Sequence, residues 1–118
     1  MPWHRIAGVI GASAVGAAAF NAHGITKVLE KRGVPKQDIP ALAKSFDNGV
    51  KWHTSTALAL LAVPIMKRPT VTGPVLLAGG LLFTGSCYAA ALTGDKKNGK
   101  LAPYGGMLMI AGWLSLVL

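Results

Sequence analysis

The chain has 118 residues, of which 52% are hydrophobic and only 14% are charged, against roughly 25% charged residues in an ordinary soluble domain. So short a chain cannot bury that much apolar surface within itself, which argues against a soluble globule and leaves room for one domain. The chain has 12 Lys and Arg against 4 Asp and Glu, a net charge of +8. This excess favours an anionic partner, such as a nucleic acid or a membrane surface.

Four apolar runs divide the chain, each near the roughly 17 to 25 residues that a membrane-spanning helix needs. They cover residues 6–22, 50–66, 75–92 and 101–118. None alternates polar with apolar residues, as the strand of a membrane barrel would. The sequence therefore predicts an all-α fold, an integral membrane four-helix bundle that forms a single transmembrane domain over residues 1–118.

The first connection, residues 25–49, is predicted to be an amphipathic segment at the membrane interface. Ile25, Val28 and Leu29 are spaced for one face of a short helix. An apolar stripe over residues 39–50 then leads into the second apolar run, so we expect this segment to feed the second spanning helix, either with a break at Gly49 or as one continuous helix from Pro40 to Met66. The second connection, residues 67–74, is predicted to be a tight turn.

The positive charges predict an orientation. Because four crossings alternate sides, the first and third connections share one side. All the Lys and Arg residues except Arg5, Lys67 and Arg68 lie in these connections or, for Lys51, at the adjoining end of the second run. The positive-inside rule then places the lysine-rich loops on the matrix or cytoplasmic side and both termini on the opposite side. Contact with anionic headgroups, cardiolipin included, is predicted for Lys27, Lys31, Arg32, Lys51, Lys96, Lys97 and Lys100. A nucleic acid is disfavoured, because no aromatic platform or recognition helix accompanies these lysines.

Small residues at four-residue spacing allow membrane helices to approach closely. The first helix carries such a ridge at Gly8, Ala12 and Gly16. The predicted packing positions of the third and fourth helices are Gly79, Gly80, Gly85, Gly105, Gly106 and Gly112.

Few residues are suited to chemistry. No carboxylate lies within a predicted span, so acid–base catalysis and carboxylate proton relays are unsupported. We expect no enzymatic activity, no metal and no cofactor. His23 and His53 fall at neighbouring helix ends on one side of the membrane, where two inward imidazoles could ligate a haem or contact a quinone headgroup. Hydrogen bonding at the helix ends is the favoured interpretation.

Several segments together resemble a known family. They are AHG at 22–24, His53 followed by ALALL at 57–61, LFTGS at 82–86 and LAPYGG at 101–106. The family comprises small membrane proteins of unknown function and includes bacterial inner-membrane proteins and transmembrane protein 256 of animal mitochondria. The resemblance implies a small helical inner-membrane protein. Members tend to carry a second histidine three residues after the first, and here Thr56 stands in that place, which removes a His-x-x-His ligand pair.

The leading hypothesis is a non-enzymatic accessory subunit of a larger inner-membrane assembly, with a respiratory-chain complex as the candidate. The expected location is the mitochondrial inner membrane, with the bacterial inner membrane as the alternative. A second hypothesis is a small transporter or channel, which would need a polar stripe or a broken helix at the bilayer midplane. The third is a haem- or quinone-binding module built on His23 and His53.

Overall fold

The computed structural model describes residues 2–118 and contains only helices and their connections over that range. The five α-helices are α1 (Trp3–His23), α2 (Ile25–Lys31), α3 (Ile39–Ala62), α4 (Pro69–Thr93) and α5 (Ala102–Leu114). Two short 3-10 turns, Val63–Ile65 and Lys96–Gly99, precede α4 and α5. The all-helical prediction is confirmed.

α4 lies between α3 and α5, and α1 packs mainly against α3 and touches α4 where Trp3 lies on Gly73. The molecule measures 48 × 24 × 17 Å. Its longest dimension exceeds the roughly 30 Å of a bilayer's hydrocarbon core.

Two helices, α1 and α4, are long and apolar enough to cross a membrane, judged by length and composition. They contain the predicted spans 6–22 and 75–92. The other two predicted spans differ from the structure. The run 50–66 lies in a helix that already begins at Ile39 and ends at Ala62, and the run 101–118 is α-helical only from Ala102 to Leu114. At 13 residues, α5 is about 20 Å long, shorter than the hydrocarbon core.

The second half of the predicted interfacial segment 25–49 is the beginning of α3, which continues through Gly49 without a break, as the continuous-helix alternative predicted. The first half of the segment contains α2, whose apolar side chains do not face outward. Ile25 and Leu29 are buried against Leu42 and Phe46 of α3 and against Ala91 of α4. The apolar face that was expected to lie on the membrane is thus covered by the neighbouring helices.

The predicted tight turn over 67–74 is wrong, since α4 begins at Pro69. A proline fits the first turn of a helix, where its missing N–H would have no partner. Trp3 at the beginning of α1 lies against Gly73, where an added Cβ would come within 2.5 Å of the indole. Lys67 and Arg68 each donate to the main-chain oxygen of Leu118 at 3.2 Å. The beginning of α1, the α3–α4 connection and the end of the chain therefore lie at one end of the molecule.

Candidate functional site

Three helices contribute one polar side chain each to a row of hydrogen-bonded side chains. Nε2 of His53 on α3 lies 2.9 Å from the Ser13 hydroxyl of α1. On the other side of the ring, Nδ1 lies 2.8 Å from the Tyr88 hydroxyl of α4. The imidazole therefore joins α1 to α4.

The direction of this chain follows from counting donors. Ser13 donates its hydroxyl proton to the carbonyl oxygen of Ile10 at 2.9 Å, so its oxygen accepts from Nε2–H of His53. A neutral imidazole with its proton on Nε2 is an acceptor at Nδ1. Tyr88 then donates to Nδ1, and every proton in the chain points from α4 toward α1.

Gly49 explains how the Tyr88 ring reaches His53. A Cβ at Gly49 would lie 2.6 Å from Cε1 of Tyr88, so only glycine lets the ring lie against α3. Phe46, one turn earlier on α3, packs against the same ring with a centroid distance of 4.6 Å. These two contacts hold the hydroxyl at the level of the imidazole.

A groove of about 350 Å³ lies beside this chain between α1, α3 and α4. It is lined by Val9, Ile10, Ser13, His53, Thr56, Gly80, Leu81, Thr84, Gly85 and Tyr88. Val9 and Leu81 at its rim are 72% and 56% exposed, so the groove opens on the surface of the molecule. We call it the histidine groove.

Thr84 is the one threonine of the histidine groove whose hydroxyl is not engaged. Its side chain is buried, with 7% of the residue exposed. Its hydroxyl oxygen has no hydrogen-bond partner among residues 2–118. Thr56, by contrast, donates to the carbonyl oxygen of Trp52 at 2.7 Å.

The predicted pairing of His23 with His53 does not occur. His53 lies at the level of Ser13, and His23 is exposed ten residues further along α1, about 15 Å away along the helix axis. A haem or metal site that uses both rings is therefore excluded by the geometry. Among residues 2–118, no group of three or more His, Cys, Asp or Glu side chains is placed to hold a metal ion.

Sequence reasoning missed Ser13 and Tyr88 as the partners of His53. A signal was available for Tyr88, because a tyrosine hydroxyl within an apolar run needs a hydrogen-bond partner when it is buried. Ser13 offered no such signal, since a serine in a membrane helix can bond to its own backbone.

Four of the predicted packing glycines lie at close helix contacts. A Cβ added at Gly79 would lie 2.7 Å from the amide nitrogen of Met109. One added at Gly112 would lie 2.7 Å from Cδ2 of Leu76. At Gly80 it would collide with the Thr56 side chain, and at Gly105 with the Phe83 backbone. Gly106 makes only an ordinary contact, and a Cβ at Gly85 would meet no atom of residues 2–118 within 4 Å.

The ridge of α1 faces the other way from the prediction. Gly8, Ala12 and Gly16 are exposed, and a Cβ at either glycine would meet no described atom within 4 Å. α1 instead packs through the opposite face, which carries Trp3, Ala7, Ile10 and Ala14. The larger apolar side chains on that face provide more contact with α3 than the glycines would.

The seven basic residues predicted to contact headgroups are all exposed. Most lie in or beside α2 and the Lys96–Gly99 turn, and these two regions share one end of the molecule, because Gly94 lies against Val34. Lys51 is further along α3, where its ammonium pairs with Asp47 at 3.3 Å. Asp47 also accepts from the Asn21 side chain at 3.1 Å. This end is therefore basic and exposed, in contrast to the histidine groove, whose lining contains no Asp, Glu, Lys or Arg.

The helices of residues 2–118, two of them long and apolar enough to cross a bilayer, and the basic end are features expected of a small helical membrane protein. Residues 17–106 match the model of a family described as protein of unknown function (DUF423). The chain belongs to this family, as the resemblance predicted.

Similar proteins named UPF0382 membrane proteins occur in a yeast and in bacteria. The UPF0382 membrane protein of Schizosaccharomyces pombe is 29% identical over 121 residues, covering 96% of each chain. That of Staphylococcus saprophyticus is 33% identical over 110 residues, 89% of this chain and 84% of the relative. YwdK of Bacillus subtilis is 31% identical over 112 residues, 88% and 83% of the two chains. These names support a membrane location. No solved structure matches the chain.

Proposed function

We propose that the protein is a non-enzymatic accessory subunit that binds another membrane protein through the outer face of α1. The observation that carries this proposal is the ridge of Gly8, Ala12 and Gly16, which has the spacing of a close helix contact but meets no helix of its own chain. In lipid, such ridges favour association because they let two helix backbones approach within van der Waals contact.

The surroundings of the ridge support the same function. α1 is less buried than α4. Only 11% of the most apolar 18-residue stretch of α1 is buried inside the molecule, against 44% of that of α4. Its outer face carries one charged residue, Arg5, at the chain end next to the ridge. A partner helix could therefore contact Gly8, Ala12 and Gly16 while Arg5 stays at the end of that contact.

We also propose an orientation and a membrane for the protein. The basic end fits the matrix or cytoplasmic side, with anionic lipid such as cardiolipin at its lysines. The mitochondrial inner membrane and a respiratory-chain complex are the specific setting that we propose, with the bacterial inner membrane as the alternative. The transporter or channel hypothesis stays a prediction.

The proposal is tested by solubilising native membranes in a mild detergent and following the protein on a native gel. We expect it to migrate with a larger assembly, and Gly16→Leu to shift it to the size of the free protein. Because a side chain at Gly16 meets no atom of residues 2–118 within 4 Å, the variant keeps its own fold.

Ala18→Leu is the matched control, since Ala18 is also exposed on α1 but lies off the ridge. It should leave the large assembly intact. Migration of the unsubstituted protein as a free monomer would contradict the proposal, as would equal effects of the two variants.

A further inference from the structure

The histidine groove has the size and lining of a site for a small lipid-soluble molecule. Its volume of about 350 Å³ is within the range of roughly 300–1,000 Å³ that ligand sites occupy. Its described lining residues include no Asp, Glu, Lys or Arg. An ionised headgroup would therefore lose its hydration there without gaining a counter-charge.

The hydrogen bonds of the histidine groove leave one donor free. The protons of Ser13, Tyr88 and His53 are used within their own chain, and Thr56 donates to the backbone. Of the hydroxyl groups that line the histidine groove, only that of Thr84 has no acceptor among residues 2–118. A molecule that enters the groove can therefore be recognised through an oxygen that accepts a proton.

Thr84 differs in this respect from its neighbours on α4. Ser86 donates to the carbonyl oxygen of Leu82 and Thr93 to that of Ala89, the usual bond of a hydroxyl to its own helix four residues back. Thr84 does not make that bond, although it is more than nine-tenths buried. A buried hydroxyl is rarely left without a partner in a folded protein.

Two glycines lie beside Thr84 in the part of α4 that lines the groove. Gly80 precedes Thr84 by about one turn and Gly85 follows it directly, so neither position adds a side chain to that wall. Gly80 is needed for packing against Thr56, whereas Gly85 has open space where its side chain would be. The Tyr88 ring lines the same groove.

We propose that the histidine groove binds the head of a membrane quinone, with one carbonyl oxygen accepting from the Thr84 hydroxyl. A quinone is uncharged, flat and soluble in the bilayer, and its carbonyl oxygens are acceptors. It enters past Val9 and Leu81, the exposed apolar rim of the groove. The site is independent of the outer ridge of α1.

The test uses the full-length protein in detergent and decylubiquinone as the probe, with binding followed by quenching of tryptophan fluorescence. We expect saturable binding, and we expect Thr84→Val to weaken it about five- to tenfold, the effect of one buried hydrogen bond. Thr54→Val is the control, because that hydroxyl bonds to the carbonyl oxygen of Val50 and is exposed. It should bind decylubiquinone as the unsubstituted protein does.

Gly85→Leu provides a second variant that does not depend on Thr84. Its side chain enters open space, so the protein keeps its fold, and it fills the groove. We expect saturable binding to be lost, and Gly16→Leu, which adds the same side chain outside the groove, to bind normally.

The proposal is overturned if binding is not saturable or if Thr84→Val and Gly85→Leu both bind like the unsubstituted protein. It is also overturned if dioctanoylglycerol, whose head offers ester carbonyls and a hydroxyl, displaces decylubiquinone at equal or lower concentration. That last result would assign the groove to an acylglycerol.

Discussion

Tyr88, His53 and Ser13 show how polar side chains are accommodated in an apolar layer. Each hydroxyl that faces the imidazole is within 2.9 Å of a ring nitrogen. The three residues lie on three different helices, so their bonds contribute to the relative position of α1, α3 and α4. Removing one bond should weaken the fold without opening a large cavity.

Tyr88→Phe deletes only the hydroxyl that donates to Nδ1 of His53. We expect it to lower the free energy of unfolding by about 1 kcal/mol, because the imidazole nitrogen loses its partner. Denaturant unfolding in detergent measures this. Combined with Ser13→Ala, the loss should differ from the sum of the two single losses, since both act on the same ring. If the free-energy losses of the two single variants add up to that of the double variant, the hydrogen bonds of Ser13 and Tyr88 to His53 are independent of each other.

Gly105 is the glycine whose substitution should be most costly. A Cβ there would collide with the amide nitrogen and Cα of Phe83, and backbone atoms cannot turn aside as a side chain can. We expect Gly105→Ala to destabilise the protein by about 1–3 kcal/mol. Thermal unfolding in detergent checks this against Gly16→Ala, which has open space and should unfold at the temperature of the unsubstituted protein. Equal unfolding temperatures would contradict the close α4–α5 contact.

At the residue scale, the sequence predicted which residue types pack but not which face of a helix they use. Gly79 and Gly112 lie at close contacts, whereas Gly8 and Gly16 do not. Spacing alone cannot distinguish these cases, because a small-residue ridge serves equally well for an internal contact or an outer one. His53 was singled out from the sequence, and the structure places it between Ser13 and Tyr88. Its partners depend on the pairing of α1 with α3, which the sequence does not specify.

Among the elements, α2 depends most on its neighbours. With seven residues it is too short to be a stable helix by itself. Leu29, 0% exposed, is the centre of its contact with α3 and α4. The sequence predicted this helix from its apolar spacing, but a membrane surface and a neighbouring helix both satisfy an amphipathic face.

Leu29→Ala should therefore release α2 and the connection that follows it. The substitution leaves a cavity that costs about 2–5 kcal/mol. Limited trypsin digestion should show faster cleavage at Arg32 and Lys36, which flank the exposed Gly33. Thr26→Ala, an exposed change on the same helix, should be cut at the original rate. Unchanged cleavage of Leu29→Ala would contradict the buried position of α2.

The beginning of α4 was less predictable than that of α3. The apolar stripe that follows Asp38 indicated a helix from Pro40, close to the observed beginning of α3 at Ile39. Pro69 and Pro74 suggested a turn, yet Pro69 fits the first turn of α4, and Pro74 lies inside the helix, where one backbone hydrogen bond is missing. Tertiary contacts, such as Trp3 on Gly73, hold these helix ends in place.

At the scale of the whole molecule, the charges and the packing define the same two ends. The end that contains α2 and the Lys96–Gly99 turn is basic. The opposite end contains the beginning of α1, the α3–α4 connection and Leu118, held together by Lys67 and Arg68. The membrane layer would lie between these ends, with the histidine groove inside it.

Labelling of single cysteines tests this arrangement most directly. In a Cys87→Ala background, cysteines are placed at Lys36, Lys67, Lys97 and Val117, one in each segment that joins or follows the helices α3, α4 and α5. A membrane-impermeant maleimide is then added to oriented vesicles. We expect positions 36 and 97 to be labelled only from the matrix or cytoplasmic side, and positions 67 and 117 only from the opposite side. Labelling of all four positions from one side would contradict the membrane-spanning account.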